Sequence, residues 1–369
     1  MDEANALIYG LELHARALTP QYGESNEVRF CLATNSLKPN NQIHLLEYNE
    51  EKSVIKSKIF EHSLGEVWKL NSSPHDARLL LSCYNVHKSS QVQTQAALLS
   101  FPEDLEQKPL DSEFLPWQNV EVLPTEDLGK KVKTTEFHPT NSSWLACVVD
   151  GKIVLFERAE SKTRAIAEMT AKNASHFTTG KWSQHHQGNQ FIALHDCSIK
   201  SYDVRDVNHC AWSIEETHGQ LVRDLDCNPN KQCHIVTGGD DGYVKVWDCR
   251  QPKEPVFLRN DHAHWVWSVR FNTFHDQLIL SSSSDCKVLL CCAGSASSEC
   301  VASNRTEDES SGEIKTPLSD GLLHAFDLHE ESVYCVEWSN VDPWIFASLS
   351  YDGRLLISRV PKQYKYQII

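Results

Sequence analysis

Three histidines in this chain are each followed, 23 residues later, by an aspartate: His218 and Asp241, His262 and Asp285, His329 and Asp352. A histidine held by a carboxylate has the makings of a general base, or of a metal ligand whose tautomer the carboxylate sets. Further candidate ligands are His185, His186, His195 and Asp196, and the pair His262 and His264. Adjacent side chains on a strand point to opposite faces, and neither Cys nor carboxylate recurs at ligand spacing. The pattern therefore reads as loop histidines with local partners, and no metal is expected. Nucleophilic chemistry has no better support: there is no GxSxG elbow, no phosphate-cradling glycine loop and no cysteine in a local catalytic signature. Paired acids such as Asp240-Asp241 fit turn geometry. The expectation is a protein that is not an enzyme and takes no cofactor or small-molecule substrate.

Bulk composition narrows the partners. The 369 residues carry 35 Lys and Arg against 50 Asp and Glu, a formal charge of −15. A nucleic-acid surface needs clustered cations to displace counterions, so nucleic acid is disfavoured. No apolar run approaches the length of a membrane span, and the opening MDEANALIYG has no basic region leading into an apolar stretch, so a chain on the cytosolic side without membrane insertion is expected. Thirteen scattered cysteines, odd in number and without a CxxC pair, read as small buried hydrophobes.

The elements that must position the histidines emerge when the chain is compared with itself. The segment beginning at His218, HGQLVRDLDCNPNKQCHIVTGGDDGYVKVWD, aligns without gaps to one beginning 44 residues later at His262 and to one at His329. Weaker copies lie upstream: GKWSQHHQGNQFIALHDCSIKSYD, KTTEFHPTNSSWLACVVDGKIVLFE and HSLGEVWKLNSSPHDARLLLSCY, with RFCLATNS and QIHLLEY nearer the start. Within a unit, VRDLDC, HIVTGG and YVKVWD are short, rich in Val, Ile and aromatics, and punctuated by turns. Asp-Gly at 150–151, 241–242 and 352–353 offers the positive φ of a tight hairpin. Units of 40 to 45 residues closing on Trp-Asp indicate an all-β, seven-bladed WD-repeat β-propeller, a single domain over 1–369.

Two stretches break the period. A Ser- and acid-rich segment at about 294–320 is expected to be a mobile loop in blade six, and a proline-punctuated stretch at about 102–131 reads as an irregular insertion. Ring closure stays open: Leu7 to Leu13 either begin blade one or complete the last blade, and KYQII is the alternative outer strand.

Two sets of residues follow from the register. His218, Thr237, Asp241 and Trp247, with Asp285 and Asp352 in the equivalent places, are candidates for a buried hydrogen-bonded network. Trp267 aligns with Arg223 and Tyr334, and more loosely with Trp68, Lys133 and Thr178, at the rim where inner strands enter. With Trp265 these form a candidate partner-binding face, since Trp, Tyr and Arg dominate binding hot spots. Packing between blades is the competing reading for Trp265 and Trp267, with Val266 and Val269 the better core candidates. A reader of modified peptides at the central opening would want clustered acids or arginines, which this mixed set does not supply.

Longer motifs carry a resemblance. IYGLELHARALTPQ, NQIHLLEY, HGQLVRDLDCNPNKQ, HWVWSVRFNTFHDQLIL, SSSDCKVLL and DPWIFASLSYDGRLLISRVPKQYKYQII resemble the family of EARP- and GARP-complex-interacting WD-repeat proteins. The similarity is strongest from about His218 onward and weak between about 86 and 175. It implies a non-catalytic adaptor that binds the EARP and GARP tethering complexes. It further implies roles in endosomal recycling, retrograde transport to the trans-Golgi network and dense-core vesicle biogenesis. The location it implies is cytoplasmic, peripheral at the trans-Golgi network and at recycling or early endosomes. A second resemblance points elsewhere: Trp247-Asp248-Cys249-Arg250, with Tyr202-Asp203-Val204-Arg205 as a degenerate copy, is similar to the segment by which propeller receptors dock on cullin–RING ubiquitin ligases.

Overall fold

The computed structural model describes residues 6–37, 40–88, 91–108, 114–159, 162–170, 177–298 and 318–368. Its strands group into seven four-stranded antiparallel sheets, the blades of a propeller. The inner strands are Ala15–Pro20, Glu66–Ser72, Val132–Phe137, Phe177–Trp182, Val222–Cys227, Val266–Phe271 and Val333–Trp338, one for each of blades 1 to 7. Each keeps apolar side chains where it meets the next blade, because one blade alone leaves both of its faces in water.

The core is divided accordingly. Among the described residues seven buried apolar clusters occur, and each is shared by two successive blades. Between blades 5 and 6, for instance, Val236, Val244 and Val246 meet Val266, Val269 and Phe271. The cluster that closes the circle joins Leu18, Phe30 and Leu32 of blade 1 to Ile345, Leu349 and Leu355 of blade 7.

The start of the chain completes the last blade and does not begin blade 1. The strand Leu7–Gly10 is the outer strand of blade 7, running antiparallel to Arg354–Arg359 with Leu7 opposite Ile357 and Gly10 opposite Arg354. The end of the chain is instead a helix, Lys362–Ile368, whose Tyr364 and Ile368 pack on the cluster between blades 6 and 7.

Three local stretches bear on the sequence expectations. The 102–131 stretch contains a 3-10 turn at Leu105–Gln107 and the outer strand of blade 2, Asn119–Val122, which is too short and too polar to show a period. Most of the Ser- and acid-rich segment near 294–320 lies outside the described residues; its flanks are the turn Gly294–Ala296 and the outer strand Gly321–Phe326 of blade 6. At the hairpins, Gly242 and Gly353 take the positive φ, but in blade 3 Asp150 does so at 49° rather than Gly151. Asp196 does the same in blade 4, and in blade 6 Cys286 takes the place of the glycine, so each of these hairpins keeps a left-handed residue while its type and its exact place in the turn vary.

Candidate partner-binding site at the channel mouth

Every inner strand carries a register irregularity against its neighbour, and the same one. The extra residue falls at Arg16, Trp68, Lys133, Thr178, Arg223, Trp267 and Tyr334 in blades 1 to 7. A bulge re-aims its side chain out of the regular alternation. Here it turns seven side chains toward the axis, and all seven line one cavity of about 490 Å³ at the end of the channel where the inner strands start.

The side chains meet there. The Arg16 guanidinium carbon lies 4.4 Å from the Trp68 ring, 4.5 Å from Tyr334 and 5.1 Å from Trp267. Arg223 lies 4.6 Å from Trp267 and 5.3 Å from Trp265, and its fork grips Asp240 at 2.6 and 2.7 Å. Trp265 meets Trp267 edge to face at 5.9 Å, Trp267 tilts against Tyr334 at 4.8 Å, and Tyr334 meets Tyr351, on which His14 stacks. These contacts are within cation–π and aromatic range.

Of the residues expected at a partner-binding face, Trp68, Arg223, Trp265, Trp267 and Tyr334 thus form one connected surface, and Lys133 lines the same cavity across from it. Trp68 and Trp265 are 37% and 40% exposed, whereas Val266 and Val269 are fully buried between blades 5 and 6. Trp267 is half-buried and donates its indole N–H to Ser284 at 2.6 Å. Arg16 escaped the register comparison because the start of blade 1 has no His218-like entry. The frame that would have found it is apolar-x-x-apolar: Ala15-Arg16-Ala17-Leu18 beside Val222-Arg223-Asp224-Leu225.

One to three residues further along these strands lies an electrostatic plug of buried ion pairs, whose Asp224, Arg270 and Glu337 also line the cavity. Arg270 donates to Glu337 at 2.8 Å and to Asp224 at 2.5 Å, and Lys181 pairs with Asp226 at 2.9 Å. Burial pushes the Glu337 carboxyl up, whereas for Asp224 the attraction of Arg270, with Lys69 and Lys181 beyond it, outweighs burial and holds the carboxyl down.

The histidine network is a separate feature on the same side of the ring. His218 Nδ1 lies 2.8 Å from Asp241 and Nε2 lies 2.8 Å from Thr237 Oγ1, which in turn accepts the Trp247 indole N–H at 3.1 Å. A carboxylate can only accept, so Nδ1 carries the proton and Thr237 donates to Nε2. Burial alone would raise the Asp241 carboxyl; the His218 bond, with the backbone N–H groups of Gly219 and Tyr243, holds it at about 2. A Cβ on Gly239 would come within 2.7 Å of His218 Nδ1, which is why the ring needs glycine beside it. In blade 6, His262 bridges Asp285 and Ser281, both at 2.9 Å. Blade 7 differs: His329 is held by Ser350 and Ser348, and Asp352 is reached only through Ser350.

Other sequence candidates have local partners as well. His185 faces the Asn228 carbonyl at 2.8 Å. Arg250 turns back onto Asp248, its fork at 2.6 and 3.0 Å, and Cys233 and Cys249 lie close by. Among the described residues no helix is long and apolar enough to cross a membrane.

Comparison with known proteins agrees with this architecture. A family model described as the EIPR1 beta-propeller matches residues 3–291, and one described as a WD domain, G-beta repeat, matches 321–357. The chain is similar to EARP and GARP complex-interacting protein 1 of Homo sapiens, 40% identical with both chains covered in full. It is also similar to EARP-interacting protein 1 of Caenorhabditis elegans, 32% identical over 99% of each chain. WD repeat-containing protein DWA2 of Arabidopsis thaliana is 31% identical over 95% of each chain. With a family model covering most of its length and full-length relatives on every blade, the chain belongs to the EIPR1 beta-propeller family.

Proposed function

We propose that the protein is a non-catalytic adaptor that binds the EARP and GARP tethering complexes through the aromatic and arginine face at the channel mouth. The observation that carries this reading is the joined surface of Trp68, Trp265, Trp267, Tyr334, Arg16 and Arg223. Such groups remove large area from water while keeping a polar handle, the make-up of binding hot spots. Relatives named for interaction with these complexes supply the identity of the partner. A rigid ring offering a preformed face adds little ordering cost on binding. In this reading the protein sits in the cytoplasm, peripheral at the trans-Golgi network and recycling endosomes, and supports endosomal recycling, retrograde transport and dense-core vesicle biogenesis.

The test is affinity capture from cells with wild type and with Arg223→Ala combined with Trp267→Ala. Recovery of tethering subunits is expected to fall about tenfold or more. Equal recovery with the two proteins removes the mouth from the interface. Recovery of a ligase linker instead, lost in Arg250→Ala, transfers the function to the Trp247-Asp248-Cys249-Arg250 segment.

A further inference from the structure

The mouth holds two cations with no acid bound to them. Arg16 has no hydrogen bond or ion pair with any described residue; its surroundings are the three aromatic rings. Lys133 likewise has none, its nearest charged neighbours being Lys131 and Asp150. Both are partly buried, and burial lowers both pKa values; the rings around Arg16 and the more distant Asp150 beside Lys133 offset that cost only in part, since neither cation is bound by a carboxylate. The plug deeper along these strands shows that this chain supplies carboxylates where it needs them: Arg270 has two and Lys181 one. A chain with fifteen excess negative charges that leaves two inward-facing cations unpaired at an open cavity is complementary to a negative ligand from outside.

We infer that the channel mouth is a receptor for an acidic peptide segment of a partner protein, with a ligand Asp or Glu carboxylate taking the free fork of Arg16 and a second acid facing Lys133 and Lys131. The inference rests on the docking reading of this face and adds the chemistry of what enters it. Carboxylate fits better than phosphate. Phosphate readers cluster arginines, whereas here the Arg223 fork is already filled by Asp240 and Arg16 alone is free, among rings that would pack the apolar atoms beside a carboxylate. The acidic stretch of the chain's own blade 6 is joined to strands at the opposite end of the channel, since Val288–Cys292 starts on the mouth side and runs away from it.

The experiment pans a random dodecapeptide phage library on the full chain at low salt, then measures the strongest binder by fluorescence anisotropy. Enrichment of Asp and Glu next to aromatic or aliphatic residues is expected. So is weakening of binding by about 10- to 100-fold in Arg16→Gln, by less in Lys133→Gln, and partial recovery in Arg16→Lys. Binding is also expected to weaken as salt is raised. Lack of any enrichment, enrichment of basic or neutral peptides, or equal binding by Arg16→Gln and Lys133→Gln would each overturn the inference. So would a phosphoserine version binding far more tightly than its Glu counterpart. Because the selection uses no tethering subunit, its failure leaves the tether reading standing. Conversely, loss of tether capture with acidic peptides still selected refutes the tether and keeps the receptor.

Discussion

The two levels of the central channel are built on the same ring of inner strands, one to three residues apart, and they treat charge in opposite ways. In the plug each buried cation is neutralised: Arg270 by Asp224 and Glu337, Lys181 by Asp226. At the mouth Arg16 and Lys133 have no such partner among the described residues, and around Arg16 aromatic rings stand where carboxylates would. Buried ion pairs are costly to break, while a partly buried cation without a carboxylate partner carries a desolvation cost that only its weaker contacts reduce. The contrast separates residues kept for the ring from residues kept for what meets the ring.

Breaking the plug should have the largest effect on stability. Arg270→Ala leaves Asp224 and Glu337 buried without a counter-charge, and a loss of about 3–5 kcal/mol is expected. Denaturant unfolding monitored by tryptophan fluorescence measures it. If the variant unfolds at the wild-type midpoint, the plug is solvated and the contrast with the mouth disappears.

The histidine network stands next. Asp241→Asn places an amide N–H₂ against either the Gly219 N–H or the His218 N–H, so one donor loses its acceptor. The expected cost is about 1–3 kcal/mol, read from the same unfolding curve.

Acidification isolates a third, smaller step. Burial lowers His329 from its usual range to about 4, so the unfolded chain takes up this proton before the folded one does. Its share of stability is complete above about pH 6.5 and drains away as pH falls through that value toward 4. Between pH 7 and 5 this amounts to about 1–2 kcal/mol, at about 1.4 kcal/mol per unit of pKa difference. Thermal unfolding of wild type and His329→Gln at the two pH values measures it: the wild type should lose more. Parallel curves would show that His329 is protonated or solvated in the fold.

How much of this was legible depends on whether the signal was local. Blades 5 to 7 announce themselves because a buried histidine, a tight turn and a closing strand must keep fixed spacing to meet, as His218, Thr237 and Asp241 do. Blade 1 lacks the histidine entry, so Arg16 stayed hidden, although it lies at the centre of the aromatic cluster. The contacts of the mouth are between residues hundreds of positions apart, Arg16 with Tyr334 for example, and exist only once Leu7–Gly10 has closed the circle. Asp352 shows the limit of spacing as a guide. It sits 23 residues after His329 as its counterparts do, yet Ser350 stands between them, because a hydroxyl two residues earlier on the inner-facing strand reaches the imidazole first.

The smallest expected change in stability sharpens the contrast most. Arg223→Ala with Trp267→Ala removes two mouth residues whose contacts are a largely buried ion pair with Asp240, one indole hydrogen bond to Ser284 and partly exposed rings. Arg223 lines the open cavity, so its pair contributes less than the fully buried ones of the plug, about 1 kcal/mol, and Val266 and Val269, which seal blades 5 and 6, are untouched. The melting temperature should therefore shift by only a few degrees while capture of the partner falls. A drop approaching that of Arg270→Ala would mean that Trp267, wedged between Trp265 and Tyr334, holds neighbouring blades together. The mouth would then be a second structural layer of the channel and its aromatic rings packing rather than bait.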